Sequence, residues 1–196
     1  IHRMPPVIRA LIISTALIFL LQMSGGMAYL APFALWPNLG IVLTAPWQLV
    51  TYSFLHGGVG HIFFNMFAVY MFGSELERVF GARRYAMLWF AGVISGALTQ
   101  VAVGVLLGAQ APVIGASAGV FGLLLTYGVL FPKRRVVLLI PPIPMPAALF
   151  VALYGALELF LGVTGLQTGV AHFAHLGGML GAGLMLRHFW ALRHRR

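Results

Sequence analysis

Apolar residues fill this chain in long blocks, and the positive charges fall only near the ends of those blocks or in the gaps between them. Blocks of this length predict membrane-crossing helices, which need about 20 apolar residues each. Six are expected: roughly Val7–Met23, Gly60–Phe72, Tyr85–Leu107, Ser117–Phe131, Pro146–Leu161 and Ala171–Trp190. Pro132 and Lys133 stop the fourth, while Pro141, Pro142, Pro144 and Pro146 make the approach to the fifth irregular. Gly92 and Gly96 give the third a small-residue packing face. No repeat or low-complexity tract interrupts the pattern, so residues 1–196 read as one all-α, polytopic membrane domain.

Two connections stand out. Residues 24–56 form a long segment that is not polar, carrying Tyr29, Phe33, Trp36 and Trp47 with Pro32, Pro37 and Pro46. Aromatics of this kind favour the membrane–water interface, and a loop longer than about 15 residues in a compact protein usually has a function. The fourth block is also short. About 15 helical residues span roughly 22 Å, against a hydrocarbon core of ~30 Å. Its far end is pinned by Lys133, Arg134 and Arg135. Ser117 at its head is therefore expected below the opposite surface, preceded by non-helical backbone. Such backbone is tolerated at that depth only if buried in protein or lining a watery cavity.

Composition strengthens the membrane reading and removes others. The chain is 61% hydrophobic and 8% charged, against about 25% charged in soluble domains. A net charge of +9 could suggest nucleic acid, but its placement argues otherwise. The twelve Lys and Arg group as Arg3 and Arg9; Arg78, Arg83 and Arg84; Lys133, Arg134 and Arg135; and Arg187, Arg193, Arg195 and Arg196. Each gap between groups fits one out-and-back hairpin, which puts all four on one face, as the positive-inside rule requires of the cytoplasmic side. They read as topology signals and lipid-headgroup contacts. Both termini are then expected in the cytoplasm, with Ser117 opening to the other side. The first block lacks a following small-residue cleavage site and reads as a retained span rather than a signal peptide. The absence of cysteine excludes disulfides and thiolate metal sites.

Chemistry can then be sought around Ser117, framed in Gly115-Ala116-Ser117-Ala118-Gly119. A serine hydroxyl is a weak nucleophile until a base takes its proton, and histidine is the usual base near neutral pH. His172 and His175 open the sixth block on the same side, and the glycines after His175 (Gly177, Gly178, Gly181 and Gly183) favour it over His172. Those glycines and Gly115, Gly119 and Gly122 would let two helices approach closely. The head of the Ser117 helix offers free N–H groups to a developing oxyanion. His56, His61 and Asn65 supply further polar groups, and the i, i+4 pair His61 and Asn65 shares one helix face. His56 reads as a structural hydrogen-bonding group. The chain has no aspartate, and its carboxylates are Glu75, Glu77 and Glu158. The first two sit at the basic end, where Glu77 is expected to contact Arg78. Glu158 lies on the Ser117 side, but nothing in the sequence directs it at a histidine. A Ser-His dyad is the simpler expectation.

These motifs resemble those of the rhomboid family of intramembrane serine proteases. Gly115-Ala116-Ser117 is similar to the family's Gly-x-Ser, Ala174-His175-Leu176-Gly177-Gly178 to its Ala-His-x-Gly-Gly, and His56, His61 and Asn65 to its His-x4-His-x3-Asn. The resemblance implies a six-helix bundle with a long interfacial loop between helices 1 and 2, in a bacterial inner membrane. It implies Ser117 as nucleophile, His175 as base, and His61 and Asn65 with the Ser117 N–H and the Gly115-Ala116 backbone around the oxyanion. Transmembrane protein substrates with a small residue at the cleavage site, no cofactor and no metal complete the expectation. Two positions depart from the family pattern: Ala118 stands where Gly is frequent, and Trp47-Gln48 where Trp-Arg is frequent. The same residues admit two other classes of function. In one, His56, His61, His172 and His175 hold a catalytic zinc. In the other, the chain is an inactive relative that binds transmembrane clients, against which stand both Ser117 and His175.

Overall fold

The structure is a computed structural model that describes residues 4–108, 111–137, 142–167 and 169–193. Arg3, Pro141, Arg195 and Arg196 lie outside the described residues. Its elements run α1 (Pro6–Leu21), α2 (Met27–Leu30), α3 (Leu39–Thr44), α4 (Gln48–Thr51), α5 (Val59–Ala68), α6 (Ser74–Phe80), α7 (Ala82–Leu107), α8 (Ser117–Leu130), β1 (Arg135–Val137), β2 (Pro144–Pro146), α9 (Ala147–Thr164) and α10 (His172–Arg193). Among the described residues, three stretches are long and apolar enough to cross a membrane: Pro6–Gly26, Ala82–Leu107 and Ala147–Thr164. Leu17, Leu20, Leu106, Leu157 and Phe160 all point outward. An apolar girdle of that extent is a surface for lipid rather than for water.

Local chemistry explains where these helices stop and bend. α1 gives way to a π-turn at Gln22–Gly26, in which Gly25 adopts φ +91°, the left-handed region that suits glycine. α5 and α6 are joined by a second π-turn at Val69–Gly73, where the Tyr85 hydroxyl occupies the space that a Cβ on Gly73 would need. The all-α expectation needs one correction. Arg135–Val137 pairs antiparallel with Pro144–Pro146, with Val136 opposite Met145. Proline removes a ladder donor and favours extended backbone, so this segment makes a short hairpin rather than an irregular start to α9.

The basic groups gather at one end. The Arg134 guanidinium pairs with Glu75 and lies 4.5 Å over the Phe131 ring, and Arg84 lies over Phe189 near the end of α10. Glu77 does not pair with Arg78 as the sequence suggests. It is buried, and its two carboxylate oxygens accept from Val7 N–H at 2.9 Å and Ile8 N–H at 3.0 Å. The first turn of a helix has unpaired N–H groups and a positive end, so a carboxylate there is favoured twice over. Pro5 and Pro6 carry no N–H, which leaves Val7 and Ile8 as the first donors. Glu77→Ala is expected to destabilise the fold by about 1–3 kcal/mol, since it strands the buried Ile8 N–H and the partly buried Val7 N–H. Glu75→Ala, which breaks a partly exposed pair, is expected to cost less than about 1 kcal/mol. Thermal unfolding in detergent micelles compares the two.

At the other end, the segment before α8 is not helical, and its backbone is satisfied by the loop that follows α1. Leu35 and Val113 exchange backbone hydrogen bonds of 3.0 and 2.8 Å, and Gly115 N–H donates to the Tyr52 carbonyl at 2.9 Å. Ala116 N–H donates to His56 Nε2 at 3.3 Å. Buried polar backbone left unpaired would be costly, and the loop removes the cost. Gln48 anchors the loop itself. Buried, it accepts from Trp36 N–H and donates through Nε2 to the Pro32 carbonyl, at 3.1 Å in each case. A neutral amide thus takes the position where the family frequently has arginine.

α7, α8 and α10 pack as a tight triple through small residues. A Cβ on Gly96 would stand 2.6 Å from the Ala118 methyl and 2.7 Å from the Ala174 carbonyl oxygen. A Cβ on Gly119 would meet the Trp89 ring at 2.8 Å. Ala118 is accommodated because Gly96 and Gly178 leave room for it, so the departure from glycine at this position does not push the helices apart.

Candidate active site

Ser117 is the first residue of α8, and Gly115 two residues before it has φ +124°. A side chain on Gly115 would be strained by that backbone and would also lie 2.8 Å from His61 Nε2. Glycine is thus required twice, by backbone and by the ring packed over it. The turn aims Ser117 Oγ across the α8–α10 contact at His175, whose Nε2 stands 2.7 Å away. This is within the reach that proton transfer needs.

His175 is held on three sides. Its ring stacks on Phe121, one turn beyond Ser117, at 4.4 Å between centroids and 9° between planes. Its Nδ1 faces Glu158 Oε2 of α9 at 2.9 Å. The same Oε2 lies 2.6 Å from His172 Nδ1, so His172 meets the carboxylate rather than the serine. All three of these polar side chains are buried.

The remaining candidates from the sequence lie on the opposite wall. His61 Nδ1 accepts from Gly57 N–H at 3.2 Å, which leaves the Nε2 edge of the ring towards Gly115. Asn65 Nδ2 donates to the His61 carbonyl at 2.9 Å, and Asn65 shares with Ser117 the lining of a cavity of about 730 Å³. His56 packs edge-on against His61 at 4.9 Å, and its Nε2 supports the Ala116 N–H. It braces the approach to Ser117 and does not touch the serine–histidine pair. The cavity runs along α8 from Ser117 to Tyr127 and on to Arg135 of β1, with α5 on one side and Phe150 and Tyr154 of α9 on the other. It is a largely apolar trough with polar groups at its two ends.

The four-histidine zinc arrangement is not assembled. Among the described residues the metal-type group that gathers is Glu158, His172 and His175, without His56 or His61. Its nitrogen–oxygen separations of 2.6 and 2.9 Å are those of hydrogen bonds. Ligands at about 2.0–2.1 Å around a tetrahedral zinc stand roughly 3.3 Å apart. Sequence reasoning missed two neighbours of His175. Nothing in the sequence separates Phe121 from the other apolar residues of its helix. Glu158 had a signal, since an ionisable residue inside an apolar helix is by default a functional one. What the sequence lacked was any pointer from α9 to α10.

Comparison with known proteins agrees with the motifs. A Rhomboid domain matches residues 43–191. The chain is 33% identical over 139 residues to RHOMBOID-like protein 6, mitochondrial, of Arabidopsis thaliana, covering 68% of this chain and 40% of that protein. It is 28% identical over 141 residues to Rhomboid protein 1, mitochondrial, of Saccharomyces cerevisiae, covering 70% and 40%. It is 31% identical over 109 residues to Rhomboid protease GluP of Bacillus subtilis, covering 54% and 20%. The chain thus spans 40% or less of the length of each of these relatives. They come from a bacterium, a plant and a yeast, so they do not single out a bacterial membrane. With its apolar helices and a domain match over most of its length, the chain is an integral membrane protein that belongs to the rhomboid family.

Proposed function

We propose that this protein is an intramembrane serine endopeptidase that cleaves peptide bonds in or beside transmembrane segments. The 2.7 Å approach of Ser117 Oγ to His175 Nε2 carries the reading. As Oγ bonds to the scissile carbonyl carbon, its proton passes to Nε2. Collapse of the tetrahedral intermediate breaks the C–N bond, and Nε2 returns the proton to the leaving amine. Water then repeats the cycle on the acyl-enzyme, losing a proton to Nε2 and releasing the carboxyl product and free Ser117. The oxyanion falls at the head of α8, where the Ser117 N–H and the Gly115-Ala116 turn meet His61 and Asn65 from α5.

In this reading six helical segments cross the bilayer: α1, α5 with α6, α7, α8, α9 and α10. The basic end faces the cytoplasm by the positive-inside rule, and Ser117 opens to the opposite side under the loop after α1. The trough between α5 and α9 would receive the substrate helix from the membrane, and its apolar walls suit a lipid-embedded segment.

Cleavage of a single-pass model substrate, with a small residue at the intended site, tests the proposal. The purified protein in lipid bicelles is expected to cut at one bond near the outward end of the substrate segment, as mapped by mass spectrometry. The rate should be unchanged by EDTA or 1,10-phenanthroline, at roughly millimolar levels sufficient to strip a catalytic zinc. Loss of activity to chelators that zinc restores would replace this mechanism with a metal one.

A further inference from the structure

We infer that Glu158 is a positioning residue for the serine–histidine pair, and that His172 holds it in place. The inference rests on the Ser117 and His175 assignment above and adds a third member to it. Histidine can take the serine proton only through a nitrogen with a free lone pair. With Nε2 turned to Ser117 Oγ at 2.7 Å, the ring proton must sit on Nδ1. That nitrogen faces Glu158 Oε2 at 2.9 Å. An ionised carboxylate accepts and does not donate, so it selects this tautomer and fixes the plane of the ring. Once Nε2 is protonated the imidazole is cationic, and the carboxylate stabilises that charge without itself taking a proton.

The alternative of a purely structural glutamate fits less well. A carboxylate in an apolar helix is costly unless its donors are well placed. Glu158 reaches across from α9 to two histidines of α10, and both meet the same oxygen. His172 Nδ1, at 2.6 Å, steadies the same Oε2. The serine is thus backed by a chain of contacts from Oγ to His175, to Glu158, to His172. The other carboxylates of the sequence, Glu75 and Glu77, bond to Arg134 and to the start of α1, so neither substitutes for Glu158.

The full chain in bicelles is compared as wild type, Glu158→Gln, Glu158→Asp and His172→Ala, all as folded protein checked by thermal unfolding. Two rates are read: kcat with the model transmembrane substrate, and labelling of Ser117 by a fluorophosphonate, which needs no substrate docking. Glutamine can offer its N–H₂ to Nδ1 and turn the ring to the wrong tautomer. The Glu158→Gln protein is expected to lose about 10²- to 10⁴-fold in both rates, with KM unchanged. Glu158→Asp is expected to recover part of the loss because it restores the carboxylate. His172→Ala is expected to lose less, about tenfold, because Glu158 remains. Labelling and cleavage by Glu158→Gln at the wild-type rate would overturn the inference and leave the serine assignment standing. So would a loss that Glu158→Asp does not relieve at all. Wild-type Ser117 that resists the reagent and a wild type that does not cleave would overturn the serine assignment, and this inference with it.

Discussion

Ser117→Ala is expected to lower kcat for peptide-bond cleavage by at least about 10⁴-fold, with binding of the transmembrane substrate retained. The hydroxyl is the atom that bonds to the scissile carbon, and the sites Ala118 and Gly119 that follow it offer no replacement nucleophile. His175→Ala is expected to lose a similar factor for a different reason. It leaves Oγ in place but removes the acceptor 2.7 Å away. Because the two side chains act in one proton transfer, their losses do not add, and the double variant should be no slower than the worse single one. A residual rate would come from the oxyanion donors and from positioning in the trough. Single-turnover cleavage in bicelles measures all three variants, and substrate crosslinking reports retained binding. Ser117→Ala that cuts at the same bond and rate as wild type would remove Ser117 from the chemistry. Losses that multiply in the double variant would mean that the two residues act in separate steps.

Much of this site was legible because it depends on short-range pattern. Gly115 and Ser117 lie in one turn, and His61 and Asn65 lie one helical turn apart, so spacing alone keeps the first pair local and places the second on a common helix face. The basic groups likewise marked one end, where Arg134 pairs with Glu75. What escaped the sequence depends on how helices rotate against one another. Glu158 reaches His175 only because α9 turns that face towards α10, and no spacing within either helix states it. The hairpin of β1 and β2 escaped because four prolines argue against a helix without saying what the chain does instead. Sequence adjacency points Glu77 to Arg78, whereas its partners, the Val7 and Ile8 N–H groups, lie about seventy positions away. Gln48 shows the converse: at a position that departs from the family pattern, the amide geometry supplies the loop contacts.

Gly178→Ala is expected to be the most damaging substitution outside the polar groups. A Cβ there would stand 2.7 Å from the carbonyl carbon of Ala118 and nearer still to its oxygen. The obstacle is backbone of α8, one residue past Ser117, so no rotamer change relieves it. Either α10 withdraws from α8 or the head of α8 shifts, and both open the distance from Ser117 Oγ to His175 Nε2. A misplacement of ~1 Å can cost about 10²-fold in rate, and overpacking adds about 1–3 kcal/mol of destabilisation. Gly183→Ala, on the same helix, is the matched control. Its Cβ would meet only the Leu125 Cδ2 methyl at 3.2 Å, the end of a flexible side chain that can give by a few tenths of an ångström. It should keep activity within about threefold, and unfold within about 0.5 kcal/mol of wild type. Fluorophosphonate labelling and thermal unfolding of both variants separate the two costs. If Gly178→Ala labels as fast as Gly183→Ala, the close α8–α10 contact is not what sets the serine–histidine distance, and the site must be positioned chiefly by the Glu158 and Phe121 contacts to the histidine ring.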